Sequence, residues 1–187
     1  LSEETYPSIT IFRLVQSIID DAEGRPSLLA SFIIVDVNDY SRFEKEHVIG
    51  AFHYNGALLA RNNYETAYLS EAKREGRKVL IYGDGAERIT ATLYQRGHEA
   101  VLLKGNTTAF KSVFPIGLLS SSSHSSFDVA SLRSVLEELR RKNGTKSNIL
   151  HPTLSSRSRS VDRNARSKER GRAMSTKRPW IPPGTAG

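Results

Sequence analysis

The order of apolar segments constrains the fold of this chain more than any other feature. Four short runs rich in Val, Ile and Leu alternate with segments of helical periodicity; they are Ser31–Val37, Val48–Tyr54, Lys78–Tyr82 and Ala100–Leu103. Continuous apolar runs of this length are typical of strands that are buried on both faces of a sheet. Strands alternating with helices predict an α/β domain built around a mainly parallel sheet.

The segments between these runs have the periodicity of helices. Ser8 is expected to cap the first helix, whose apolar stripe is formed by Ile11, Leu14, Val15, Ile18 and Ile19. Four further helices are predicted, at Asp39–Lys45, Tyr64–Glu75, Arg88–Arg96 and Thr107–Val113. Gly83–Glu87 is then a tight loop between a strand and a helix.

Charge divides the 187 residues into two unlike parts. Residues 1–139 hold 14 Lys and Arg against 18 acidic residues, a net charge of −4, whereas residues 140–187 hold 13 against two, a net charge of +11. The C-terminal part is rich in Ser and Arg and shows no periodicity, which favours disorder. We therefore predict a folded domain at 1–119, a Ser-rich linker at 120–126, a helix at 127–143 that Gly144 ends, and a disordered basic tail at 144–187.

The chain has no cysteine, which excludes disulfides, Cys zinc sites and cysteine nucleophiles. No apolar run approaches the roughly 18–20 residues that span a bilayer, and no signal-peptide pattern opens the chain. We therefore expect an intracellular protein that does not bind membranes. The first residue is Leu1, which is typical of a fragment or of a processed form.

Several motifs follow one another in the order seen in rhodaneses. An apolar strand ends in Asp36-Val37, a short helix precedes His47-Val48-Ile49-Gly50-Ala51, and Gly105 follows the last strand. The chain therefore resembles the rhodanese-like superfamily over residues 8–119. The resemblance implies a five-stranded, mainly parallel sheet with helices on both faces. It also implies structural roles for Asp36, His47, Gly50 and Gly105.

Within that superfamily the chain is most similar to the rhodanese domain of the 41-kDa centrosomal protein family. The shared features are the segment 47–54 (HVIGAFHY), an acidic loop ending in Glu87-Arg88, the motif Phe114-Pro115-x-Gly117-Leu118, and a basic tail bearing Arg178-Pro179-Trp180. The resemblance implies an adaptor in the cytoplasm, on the cytoskeleton at the centrosome, basal body or cilium. That family takes part in cilium assembly, in protein transport to cilia and in tubulin polyglutamylation.

A working rhodanese has a cysteine at the start of the loop after its fourth strand, where loop N–H groups stabilise the thiolate. Here Gly83 occupies that position, and the degenerate loop continues with Asp84, Gly85, Ala86, Glu87 and Arg88. Asp84 and Glu87 are expected to cap the following helix from within the chain, and Arg88 to pair with one of them or with the carboxyl end of the sheet. The resemblance therefore implies a pseudoenzyme without a cofactor.

An enzyme remains the first alternative: a phosphoryl- or sulfur-transfer protein that kept an anion site at Arg88 and the loop and uses a non-cysteine group. A phosphotransferase using Asp84 would need a metal ion, and Asp36, Asp84 and Glu87 are carboxylates near the carboxyl ends of the strands. Asp36 in this motif more often orders a loop, so we predict no metal site.

The basic tail attracts any polyanion, and its charge alone does not choose between tubulin and nucleic acid. The resemblance favours microtubules, whose tubulin tails are acidic, or ciliary transport proteins; nucleic-acid binding stays open. Trp180 is a candidate anchor for a partner groove. The predicted tail contacts are Arg157, Arg159, Arg163, Arg166, Lys168, Arg170, Arg172, Lys177, Arg178 and Trp180.

Overall fold

A computed structural model describes residues 6–122 and 124–147 of the chain. Its centre is a five-stranded sheet in the order β1-β6-β5-β2-β4, in which every neighbouring pair is parallel. These strands are Ser8–Thr10 (β1), Phe32–Asp36 (β2), Phe52–His53 (β4), Lys78–Tyr82 (β5) and Ala100–Lys104 (β6). A separate antiparallel ladder joins His47–Val48 (β3) to Leu119–Ser120 (β7).

Six α-helices surround the sheet: Ile11–Ala22 (α1), Tyr40–Lys45 (α2), Ala67–Glu75 (α3), Ala86–Gln95 (α4), Thr107–Val113 (α5) and Val129–Ser147 (α6). Two short 3-10 helices, Leu29–Ser31 and Gly56–Ala60, complete the described elements. In these ranges no helix combines the length and the apolar character that crossing a bilayer requires.

Helices cover both faces of the sheet because successive strand residues point to opposite sides. Ile34 and Leu80 pack with α1, α5 and α6 on one face. Val35 and Ile81 pack with α3 and α4 on the other. The predicted α/β fold with helices on both faces is therefore confirmed.

One predicted strand is wrong. The segment Val48–Tyr54 forms two short strands in different sheets, β3 and β4, with a turn between them. Gly50 makes that turn at a φ of +78°, and the Ala51 N–H donates to the Val48 carbonyl oxygen at 2.9 Å. The apolar pattern conceals the turn because apolar residues stand on both sides of Gly50. Those before it belong to the ladder of β3 with β7, and those after it to the strand β4 that pairs with β2.

Three predicted helix starts also differ from the structure. Ser8 lies in β1, and α1 follows Thr10 instead. The helix predicted from Tyr64 begins at Ala67, and the helix predicted from Arg88 begins at Ala86. Apolar periodicity locates the buried face of a helix, but helix ends depend on backbone groups that it does not describe.

The last helix is part of the folded body. Leu132 and Leu136 of α6 are buried in the core that contains α1, and Ser120 of the predicted linker pairs with His47. Gly144 does not end the helix, which continues to Ser147; an exposed glycine inside a helix costs only about 1 kcal/mol relative to alanine. The tail predicted from residue 148 onward, including every predicted tail contact, lies outside the described residues.

Candidate functional site

Two loops meet at the carboxyl edge of the sheet. Strands β2 and β5 are neighbours, with Asp36 opposite Tyr82, so the loops that begin at Val37 and at Gly83 emerge side by side. The Val37 N–H donates to the Tyr82 carbonyl oxygen at 3.0 Å and extends the pairing by one residue. Open α/β sheets bind ligands at this edge.

The backbone conformation of Gly83 and the close approach of Asn38 strain any side chain at this position. The φ of Gly83 is +115°, outside the conformations that L-residues ordinarily adopt. A β-carbon at this position would lie 2.9 Å from Asn38 Cγ and 3.0 Å from both the backbone nitrogen and Nδ2 of Asn38. Position 83 therefore has neither the backbone conformation nor the free space that a side chain needs.

Asn38 holds the two loops together from a buried position, with 4% of its surface exposed. Its Oδ1 accepts the Asp84 N–H at 3.0 Å. Its own N–H donates to Asp36 Oδ1 at 2.8 Å, and its carbonyl oxygen accepts a hydrogen bond from His53 Nε2 at 2.9 Å. Asn38 therefore fixes the start of the degenerate loop through its side chain.

Asp36 lies beneath Asn38 and is fully buried. The Tyr82 hydroxyl donates to Asp36 Oδ2 at 2.6 Å and accepts the Val48 N–H at 2.9 Å. Burial, and secondly the carboxylate of Asp36, raise the pKa of Tyr82, so the phenol stays protonated and acts as a donor. Asp36 thus orders the loops and joins β2, β5 and β3.

The loop carboxylates do not cap α4 as predicted. Gly85 is the residue before the helix, and neither Asp84 nor Glu87 makes a side-chain cap hydrogen bond among the described residues. Asp84 instead forms an ion pair with Arg42 of α2. Glu87 lies in the first turn of α4, where the helix dipole favours an acid.

Arg88 is exposed on α4 and makes no ion pair with any residue in the described ranges. Its predicted pairing with a loop carboxylate is therefore wrong. The cation that pairs with the loop is Arg42 of the neighbouring short helix α2.

A cleft of about 550 Å³ lies between the degenerate loop and the end of β6. Its walls include Gly83–Glu87 and Leu102–Asn106. Gly105 shapes the second wall, since its φ is +116° and a β-carbon there would lie 2.7 Å from Phe110 Cε1. The cleft keeps the outline of a ligand site, but no thiol or other strong nucleophile lines it.

The remaining predicted motif residues lie behind this edge. His47 is buried; its Nδ1 lies 2.7 Å from the Phe43 carbonyl oxygen, and its ring stacks on that of Phe43 with centroids 4.1 Å apart. Gly50 makes the turn between β3 and β4. Both positions shape the backbone next to the site.

The structure does not bring Asp36, Asp84 and Glu87 together as a metal site. Within residues 6–122 and 124–147, no group of three His, Asp or Glu side chains has a spacing that could hold a metal ion. Asp36 accepts hydrogen bonds inside the core, whereas Asp84 is bound to Arg42 at the surface.

Two residues that position the loop, Asn38 and Arg42, were not identified as such from the sequence. Asn38 belongs to none of the motifs on which the rhodanese resemblance rests. The available signal was its place directly after a buried strand, where a short polar side chain can bond to a neighbouring loop. No comparable signal exists for Arg42.

The order of strands, the loop at the carboxyl end of β5 and the following helix define a rhodanese-like domain. The family model for the rhodanese-like domain matches residues 18–113, and the chain belongs to this family. The chain contains no cysteine.

Curated proteins that are similar to this chain include centrosomal proteins of 41 kDa. The chain is 28% identical over 115 residues to the centrosomal protein of 41 kDa from Bos taurus, covering 58% of this chain and 31% of that protein. It is 33% identical over 97 residues to the same protein from Xenopus tropicalis, covering 49% of this chain and 27% of the relative. The chain therefore matches about a third or less of the length of these relatives.

The chain is also similar to solved structures at low sequence identity. A solution structure of a rhodanese-like domain from Anabaena sp. has a TM-score of 0.43 and 19% identity, covering 89% of this chain and all of that one. A Bacillus halodurans protein has a TM-score of 0.43 and 20% identity, covering 57% of this chain and 72% of its own.

Proposed function

We propose that this chain is a catalytically inactive rhodanese-like adaptor of the centrosome. The observation that carries the proposal is the packing of Asn38 against Gly83, which leaves no place for a side chain at the nucleophile position. Sulfur transfer in this fold needs a thiolate at that point, and no other residue of the chain supplies one. What the domain retains is a rigid surface with a shaped edge.

The cellular setting of the proposal comes from the relatives, which are named as centrosomal proteins. By the same likeness we assign the adaptor to the basal body and cilium, with roles in cilium assembly, ciliary protein transport and tubulin polyglutamylation. A role in recognition agrees with the carboxyl edge of the sheet, where the loop exposes charged groups such as the ion pair of Asp84 with Arg42.

The basic segment 140–187 serves in this proposal as a tether to an acidic lattice. Its net charge of +11 suits the acidic tails of tubulin. A folded body that binds one partner and a charged segment that binds another gain avidity without tight individual contacts.

An enzyme assay tests the absence of catalysis. The full chain is assayed for transfer of sulfur from thiosulfate to cyanide and for hydrolysis of an aryl phosphate with added Mg²⁺. We expect no turnover above a heat-denatured control. Turnover that disappears in Asp84→Asn would show that the loop uses a non-cysteine group and would overturn the proposal.

Co-sedimentation with microtubules tests the tether. A full-length variant replaces seven tail cations by glutamine, and a matched control replaces the six arginines among them by lysine; the positions are 157, 159, 163, 166, 168, 170 and 172. We expect the glutamine variant to lose binding at low salt and the lysine variant to retain it. Equal binding of both variants, or a preference of the parent chain for nucleic acid at physiological salt, would reject a microtubule tether.

Localisation tests the cellular assignment. A tagged full chain expressed in a ciliated cell is expected at the centrosome and at the base of the cilium. A diffuse distribution in the parent chain would contradict it.

A further inference from the structure

A smaller cavity lies where the chain passes from β2 to α2. Its volume is about 130 Å³, and its walls include Asn38, Asp39, Tyr40, His53 and Asn55; we name it the Tyr40 notch. Pockets for drug-sized ligands usually measure roughly 300–1,000 Å³. The Tyr40 notch therefore suits a single side chain of a partner.

The aromatic wall of the Tyr40 notch is exposed and held in a fixed orientation. Tyr40 is 57% exposed, compared with 44% for Tyr94. Its ring stacks on Phe43 with centroids 6.2 Å apart and meets the edge of His53 at 5.1 Å. His53 is in turn fixed by the hydrogen bond from its Nε2 to the Asn38 carbonyl oxygen.

The acidic wall of the notch has no partner. Asp39 is exposed, and its carboxylate makes no hydrogen bond or ion pair with the residues that the structure describes. The nearest cation along the chain, Arg42, is bound to Asp84. An unpaired carboxylate next to an aromatic ring favours a cationic guest.

We propose that the Tyr40 notch binds an arginine side chain of a partner protein. A guanidinium group can stack on an aromatic face and at the same time donate two parallel hydrogen bonds to a carboxylate, which an ammonium group cannot match. A contact between a guanidinium group and a tyrosine ring already occurs elsewhere in the chain, where Arg96 Cζ lies 4.2 Å from the centroid of the Tyr64 ring.

This inference names the chemistry of a partner and rests on the proposed adaptor role for its biological meaning. The two can fail separately. Absence of arginine binding would leave the lack of sulfur transfer untouched, whereas detection of sulfur transfer would overturn the adaptor role without altering a binding titration.

The test is an NMR titration of the ¹⁵N-labelled full chain with the blocked tripeptide acetyl-Ser-Arg-Ser-amide. Matched tripeptides with Lys or Gln at the centre are the ligand controls. We expect saturable shifts at the amides of Asp39, Tyr40, His53 and Asn55, and at least fivefold weaker binding of the glutamine peptide. Equal affinity of the arginine and lysine peptides would show that only charge is recognised and would reject the proposed guanidinium site.

Paired variants separate this site from the general charge of the body. Asp39→Asn is expected to weaken arginine binding at least fivefold, while Asp21→Asn, which removes an exposed carboxylate on α1, leaves it unchanged. Tyr40→Leu is expected to weaken it at least threefold, while Tyr94→Leu on α4 does not. Equal effects within either pair would overturn the proposal.

Discussion

The side-chain amide of Asn38 occupies the space into which a β-carbon at Gly83 would project, with Asn38 Cγ only 2.9 Å from that point. The same amide accepts a hydrogen bond from the next residue of the loop. One side chain therefore both crowds position 83 and stabilises the loop.

Gly83→Cys is expected to leave the protein without sulfurtransferase activity and to lower its stability. A φ of +115° and a contact under 3 Å strain any side chain, at a cost of about 1–3 kcal/mol in the free energy of unfolding. Denaturant unfolding and the thiosulfate assay measure the two effects. Gly24→Ala is the control, because its φ is also positive but no atom lies within 4 Å of its added β-carbon; equal losses in both variants would mean that Asn38 does not crowd position 83.

Asn38→Ala is expected to lower the free energy of unfolding by about 1–3 kcal/mol, since the Asp84 N–H loses its acceptor in a partly buried setting. Hydrogen exchange at the Asp84 amide should accelerate more than exchange in the centre of β5. Asn63→Ala, at an exposed asparagine, is the comparison. Unchanged exchange at Asp84 would show that Asn38 does not hold the loop.

Asp84→Ala is expected to change the free energy of unfolding by less than about 1 kcal/mol. Both partners of the ion pair between Asp84 and Arg42 are more than half exposed, and solvent screens such pairs. A double-mutant cycle with Arg42→Ala, measured at low and high salt, gives the coupling energy. A coupling well above 1 kcal/mol that persists in high salt would contradict a surface pair.

His98 is expected to make stability depend on pH. Its side chain is fully buried, its Nε2 lies 3.2 Å from Glu65 Oε1, and neither ring nitrogen forms a hydrogen bond to a described residue. Burial and the nearby Lys73 ammonium lower the pKa of His98, while the Glu65 carboxylate opposes them. Tyr64 meets the ring edge-on.

The unfolded chain therefore binds this proton more readily than the folded one. The contribution of neutral His98 is complete above the unfolded pKa of roughly 6.5 and is lost as the pH falls from there towards the lowered folded value. His98→Leu should flatten that part of the curve of unfolding free energy against pH. His124→Gln, at an exposed histidine, should not, and a slope that persists in His98→Leu would assign the effect to another group.

The sheet could be predicted from the sequence because each strand has a local apolar pattern. In Lys78–Tyr82 an unbroken apolar run follows the lysine and turn signals come after it, and the structure has a strand with those bounds. The segment Val48–Tyr54 was predicted as one strand because it is apolar over most of its length, but its two halves belong to different sheets. A single glycine with positive φ separates them, and glycine is compatible with both interpretations.

The candidate site was predictable only in part. The position of Gly83 follows from the order of motifs, whereas the contact of Asn38 with the loop joins residues 46 positions apart. Arg42 and Asp84 are 42 positions apart. Such pairs depend on which strands become neighbours, and no local pattern encodes them.

The strand order also has a consequence for synthesis of the chain. Among the strands of the sheet β1 is synthesised first, yet Ser8 pairs with Leu102 of β6, and α1 shares its core with Leu132 of α6. At roughly 5–20 residues per second, these partners are made only several seconds after β1 and α1. Completion of the domain therefore depends on its last helix.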